Sequence, residues 1–184
     1  MDTFVIRIVI DTEEDIFRDI EIRGDQTFED LHDSIIHAFE FEGDQMASFY
    51  MSNEEWEKGK EIGLMDLSSF DGDEVTPCMG QLKISEEIET KNQKVLYVYD
   101  FLKMWVFYCE VIAINQVKDE MAYPAIIREF GGAPDENSKD APDLMEGEDL
   151  SKESGGYDED DEFSDDPFDE FDDTYEDYSN YDDL

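Results

Sequence analysis

Positive charge is what this 184-residue chain lacks most: it has 13 Lys and Arg against 53 Asp and Glu, for a net charge of −40 at neutral pH. So acidic a surface repels bare nucleic acid and anionic membranes, which excludes direct nucleic-acid binding and makes any charged partner a basic one. Cysteine is equally scarce. Cys78 and Cys109 are too far apart in sequence for a Cys-x-x-Cys pair, so no zinc ribbon or redox couple is encoded, and both are expected to be reduced and buried. No apolar run approaches the roughly 18 residues of a membrane span, and the opening MDTFVIRIVI has no basic region followed by a signal-type segment. The expectation is a soluble, cytoplasmic protein with no membrane contact.

Charge density changes near residue 136. Residues 1–136 carry 32 acids and 11 bases, a net of −21, whereas the 48 residues that follow carry 21 acids and two bases, a net of −19. That second stretch has no Val or Ile, and its only Leu and Met are Leu144, Met145, Leu150 and Leu184. It cannot bury enough apolar surface to offset the entropy of ordering, and disorder in the free chain is expected. Three regions follow: a folded domain over 1–130, a linker over 131–156 punctuated by Pro134, Pro142, Gly147 and Gly155-Gly156, and an acidic-aromatic tail over 157–184.

Within the domain, Thr3 to Ile10 alternates as a β-branched strand, and Ile16 to Arg23 forms a hairpin with it across the acidic turn at Asp11 to Asp15. Thr27 with Asp30 three residues on marks a helix start, and Phe28, Leu31, Ile35, Ile36 and Phe39 follow at helical spacing up to Gly43. Met46 to Met51 suits a strand and Leu82 to Ile88 a short helix or loop. Lys94 to Tyr99 and Trp105 to Ile114 are β-prone and suit a second hairpin across Asp100 to Met104. These elements predict an α+β fold: an antiparallel or mixed sheet of about five strands, one main helix packed on it, and a disordered acidic C-terminal tail.

The order of several short motifs also resembles the pRi-plasmid ORF-three-like family, whose transposon-passenger members carry a resolvase label. The matching pieces are Phe17-Arg18, Thr27-Phe28, Leu31-His32 and Ile35, then Tyr99-Asp100-Phe101, Trp105, Tyr123-Pro124 and the run Gly131 to Glu136, covering residues 1 to about 136. The resemblance implies a site built from His32, Tyr99, Asp100 and Trp105. This chain departs from the family pattern where that pattern has Gly-Asp and His after Tyr-Asp-Phe: here stand Leu102, Lys103 and Phe107, and the polar cluster is lost. Recombination is not implied, because no serine sits among the arginines that phosphodiester transfer requires.

No catalytic residue, metal or cofactor is expected from the remaining candidates. His32 and His37 stand five residues apart on a helix and so point about 140° apart, too divergent for one metal. His32 suits a buried structural role, hydrogen-bonded to a strand. Cys109 lies in an apolar strand that suppresses its thiolate. Asp71 to Glu74 and Asp158 to Glu162 lack the spacing of a preorganised calcium loop, and Gly131-Gly132 lacks the Lys-Ser/Thr of a phosphate cradle. Arg18 is expected as an ordinary charged strand position or ion-pair partner. Trp56, Trp105, Phe107 and Tyr108 are expected as core or sheet-face aromatics.

The tail carries more signal. Seven aromatics fall among residues 157–184, and Phe168, Phe171, Tyr175, Tyr178 and Tyr181 step by three or four, the spacing that gathers them along one side of a helix begun by Asp166-Pro167. Phe163 lies just upstream. A purely solubilising tail needs no exposed Phe, so the pattern predicts charge-steered docking on a basic protein or complex that handles nucleic acid, with the aromatics as anchors. The leading expectation is therefore a non-enzymatic interaction module. The alternatives are a nucleic-acid mimic or inhibitor, and an enzyme or small-ligand domain of mobile-element origin using the His32, Tyr99, Asp100 and Trp105 cluster.

Overall fold

Side-chain alternation along the first strand sets the architecture. In the computed structural model, which describes residues 1–65 and 77–140, β1 (Asp2–Ile10) turns Phe4, Ile6, Ile8 and Ile10 to one face, each almost wholly buried. β2 (Phe17–Arg23) pairs antiparallel with it and adds Ile20 and Ile22 to that face. β3 (Ala47–Ser52), β4 (Lys58–Gly63), β5 (Lys94–Tyr99), β6 (Trp105–Gln116) and β7 (Ala125–Phe130) complete a seven-stranded sheet in the order β4-β3-β5-β6-β1-β2-β7. Every pairing is antiparallel.

The strand count corrects the expectation of about five. β4 reads Lys-Gly-Lys-Glu-Ile-Gly, with neither alternation nor β-branched bulk until Ile62, and it lies at one edge, where a strand need bury little. β7 is enclosed by turn signals, Tyr123-Pro124 before and Gly131-Gly132 after, and pairs with β2 from far along the chain. Both additions are edge strands.

Helix α1 (Phe28–Ala38) lies on the apolar face. Its first turn is closed as the sequence indicates: Thr27 Oγ1 accepts from the Asp30 N–H at 3.2 Å, and the Asp30 carboxylate accepts from the Thr27 N–H at 2.8 Å. A reciprocal cap of this kind contributes about 1 kcal/mol. Phe28, Leu31, His32, Ile35 and Ala38 face inward, and the chain then delivers Phe39 and Phe41 to the same core. A single turn, α2 (Ile84–Glu87), buries Ile84 beside Gly24 and Gln26 through backbone hydrogen bonds. The centre of the core is aromatic: Phe107 meets Phe39 at 5.0 Å and Tyr97 at 5.3 Å between ring centroids, and Phe49 bridges Tyr97 and Phe28.

Of the two cysteines, Cys109 is buried and Cys78 only half-buried, both as free thiols. The stretch Asp71 to Glu74, the rest of the linker beyond residue 140, and the tail residues Phe163, Phe168, Phe171, Tyr175, Tyr178 and Tyr181 lie outside the described residues.

Candidate functional site

The resemblance points to the end of the β5–β6 hairpin, and its geometry begins with Asp100. This residue follows β5 in the left-handed region at φ 55°, and Met104 leaves the turn at φ 54°. The Asp100 carboxylate accepts from the Leu102 and Lys103 N–H groups at 2.9 and 3.2 Å, while its own N–H donates to the Met46 carbonyl at 2.9 Å. A short acceptor side chain that tolerates positive φ is what such a turn requires, so Asp100 shapes the hairpin tip. The tip leaves Leu102 and Phe101 exposed.

Tyr99 and Trp105 face each other across the hairpin, both buried, with Phe41 wedged between them at 5.6 and 5.3 Å. Their polar atoms converge on residues 131–140, the described part of the segment beyond β7. Glu136 is the focus. Its carboxylate accepts from the Tyr99 hydroxyl at 2.9 Å and from the Glu42 N–H at 2.7 Å, and its carbonyl accepts from the Trp105 indole N–H and the Lys103 ammonium, each at 3.3 Å. Lys103 also reaches Asn137 Oδ1 at 2.8 Å, and the Lys139 ammonium lies 5.2 Å from the centre of the Trp105 ring. The Tyr99 oxygen in turn accepts from the Gly43 N–H at 3.0 Å. Burial, then the bond to Glu136, push the Tyr99 hydroxyl up to about 12, so it remains a proton donor.

Gly131 makes this closure possible. It sits at φ +77°, and a Cβ there would come within 2.9 Å of the Asp15 carbonyl and of the Ile16 side chain. At the exposed Gly132 beyond it, a Cβ would meet nothing within 4 Å.

His32 is not part of this cluster. It is buried on α1, where Nδ1 lies 2.7 Å from the Tyr97 hydroxyl and the ring packs edge-on to that tyrosine, the structural role expected for it. His37 is exposed, on another side of the helix. Among the described residues no group of His, Cys, Asp and Glu has the arrangement of a metal site. Burial pushes the Cys109 thiol far above its ordinary value, which keeps it protonated.

Burial also holds the His32 imidazole below its ordinary value of 6.5, against the weaker opposing pull of Asp33. The unfolded chain therefore takes up a proton at His32 before the folded one does. That contribution to stability is complete above about pH 6.5 and is lost as pH falls through the lower folded value. Urea unfolding at pH 8.0 and 5.5 should show a smaller acid loss for His32→Gln than for the wild type. An equal loss in both proteins would contradict this.

Arg18 is a position that the sequence pattern misassigns. It is buried on the core face rather than an ordinary charged strand position: Nε donates to the Ala38 carbonyl at the end of α1, and one terminal nitrogen donates to the Phe17 and Phe130 carbonyls, all at 2.9 Å. The guanidinium lies over Phe39 at 5.0 Å. Its carboxylate neighbour, Glu129 at 3.8 Å, is largely exposed and adds little. On the opposite sheet face Arg7 forms a bidentate pair with Asp19 and covers Phe17, which stacks on Phe130. Of the aromatics expected in the core or on a sheet face, Trp105 and Phe107 are buried, while Trp56 and Tyr108 meet edge-on and half-buried on that opposite face.

Comparison with known proteins bears on the whole chain. The family described as plasmid pRiA4b ORF-3-like protein matches over residues 2–180, well past residue 136, where the motif resemblance ends. A solved structure, a protein of unknown function from Methanosarcina mazei Go1, is similar at a TM-score of 0.64 with 24% sequence identity, over 76% of this chain and 75% of that one. At that identity the likeness concerns the fold. Among curated proteins none matches. Among the described residues no helix is long and apolar enough to cross a membrane.

Proposed function

This chain belongs to the plasmid pRiA4b ORF-3-like protein family, and we propose that it works as a non-enzymatic interaction module whose acidic-aromatic segment 157–184 docks on a basic protein or complex that handles nucleic acid. The observation that carries this reading is compositional: from residue 137 onward 21 acids stand against two bases, and the aromatics recur every three or four residues from Phe168 to Tyr181. Charge brings such a segment to a basic surface over a screening length of about 8 Å, and Phe168, Phe171 and Tyr175 then enter apolar pockets. Ordering the segment on its partner costs part of the gross interaction energy, which keeps the complex reversible. The setting is cytoplasmic.

The resemblance-derived cluster supports this reading by what its members do. Asp100 shapes a turn, His32 is held by Tyr97, and the polar atoms of Tyr99 and Trp105 are engaged by Glu136.

The test keeps every carboxylate and removes only the anchors. The full-length protein and its Phe168→Ser, Phe171→Ser, Tyr175→Ser variant are used as baits in the native cytosolic extract at low and moderate salt, and the affinity of the captured protein is then measured in purified form. Each buried ring is worth about 1.5–3 kcal/mol, so the triple substitution should weaken binding at least about 1,000-fold. Unchanged affinity combined with steep salt dependence and displacement by DNA would replace this reading with nucleic-acid mimicry, which the −21 of residues 1–136 would serve.

A further inference from the structure

The segment running from Ala133 to Lys139 is attached to the domain in an unusual way for a piece of its own fold. It contributes no side chain to the buried core, and most of its residues are exposed or half-exposed. One short 3-10 turn, Glu136–Ser138, is its only regular structure. It follows Gly131-Gly132, and the second glycine is exposed with nothing within 4 Å of where its Cβ would lie. What holds it is Glu136, flanked by Asn137 and Lys139, through polar bonds to groups that belong to three other parts of the chain.

Those groups share a chemical character. The Tyr99 hydroxyl, the Glu42 N–H, the Trp105 indole N–H and the Lys103 ammonium all donate, and they surround a floor made of Tyr99, Trp105 and Phe41. With the segment lifted away, four donors over an aromatic floor would have no acceptor. Such a set matches one ligand class: an extended peptide that offers a carboxylate to Tyr99 and Glu42 and a main-chain carbonyl to Trp105 and Lys103. Asp135-Glu136-Asn137 satisfies it within the chain.

We propose that this groove is a peptide-recognition site for a carboxylate-bearing, extended segment of a partner protein, and that residues 133–139 fill it as a displaceable intramolecular occupant. The segment is suited to release, since it adds no side chain to the core and is held by a handful of exposed or part-buried hydrogen bonds, which place it at the low end of local stability. Closure then lowers the apparent affinity for an outside peptide by the fraction of time that the groove is free. The site is independent of the docking proposed for residues 157–184, and it takes an acidic ligand where that segment seeks a basic one.

The experiment uses the full chain in a Trp56→Phe background, so that Trp105 alone reports. The probe is a synthetic peptide with the sequence of residues 131–140. In Glu136→Gln the Trp105 emission should shift to longer wavelength, and the peptide should reverse that shift. Its dissociation constant should be at least about tenfold lower than for the unsubstituted segment, as expected when closure occupies most of the population. A peptide carrying Gln in place of its Glu should fail, and adding Tyr99→Phe should abolish the gain. Equal peptide affinity with and without Glu136→Gln overturns the proposal. Should Glu136→Gln prove unfolded by circular dichroism, hydrogen exchange of the wild type decides: exchange at Glu42, whose N–H is held by the Glu136 carboxylate, far faster than in β6 supports displaceability, and equally slow exchange overturns it.

Discussion

Arg18→Met should lower the unfolding free energy by about 3 kcal/mol, an effect as large as that of losing a core side chain. Methionine matches the length and apolar stem of arginine, so the loss is not one of volume. It arises because the carbonyls of Ala38, Phe17 and Phe130 each accept from this one guanidinium at 2.9 Å. Ala38 ends α1, where carbonyls have no partner within the helix, and Phe130 ends β7 at the sheet edge. A single fork thus ties the helix terminus to two strands. Arg18→Lys should recover less than half of the loss, since a point ammonium cannot span the same carbonyls with planar geometry. Urea unfolding monitored by circular dichroism measures the loss, and amide exchange in residues 125–130 should accelerate before the rest of the sheet. A change below about 1 kcal/mol would show that the carbonyls find other donors.

Phe107→Ala should be as damaging or more so, at about 4 kcal/mol. Phe107 has no exposed surface, and its ring is the point where Phe39, Phe41 and Tyr97 meet, at 5.0, 6.1 and 5.3 Å. Phe39 and Phe41 from the segment after α1 and Tyr97 from β5 cannot collapse together into one vacancy without leaving favourable packing, so most of the cavity should persist. Phe107→Leu keeps much of the volume and should cost about 1.5 kcal/mol or less. Because Phe41 leans on both Phe107 and Trp105, the alanine variant should also lose near-ultraviolet ellipticity while retaining most of its far-ultraviolet signal at low temperature. Equal costs for Ala and Leu would mean that the core repacks freely, contrary to this account.

The elements that were legible in the sequence are those whose pattern is local. Thr27 and Asp30 announce the start of α1 because both halves of the cap lie within four residues, and β1 and β2 announce their hairpin through alternation on either side of an acidic turn. β4 and β7 were illegible for the opposite reason: an edge strand takes its identity from a neighbour, and Ile126 meets Ile20 only once the chain has folded. The site shows the same division. That Tyr99, Asp100 and Trp105 belong together follows from the hairpin, whereas His32, joined to them by family resemblance, faces Tyr97 instead. In the sequence Glu136 stands out only as the end of a glycine-rich motif. Its 37-residue separation from Tyr99 gives no periodic signal, although Gly131-Gly132 followed by a proline and two acids does mark a turn that must lead somewhere. Arg18 failed for a further reason, since burial of a charged residue is read from the carbonyls around it rather than from its own type.

The position of β1 between β2 and β6 has a consequence for how the protein is made. One side of β1 is satisfied as soon as residue 23 is available, but its other side pairs with residues 107–116, nearly a hundred positions later. At a translation rate of about 5–20 residues per second the growing polypeptide carries a half-paired hairpin for roughly 5–20 s. During that interval Ile6, Ile8 and Ile10 have no sheet to lie in on one side, and an unpaired strand edge invites association with other nascent chains. The acids at Asp11, Glu13, Glu14 and Asp15 stand beside that edge, and like charge on every emerging copy keeps copies apart. Negative charge near the first hairpin thus protects newly synthesised molecules from one another until β6 arrives.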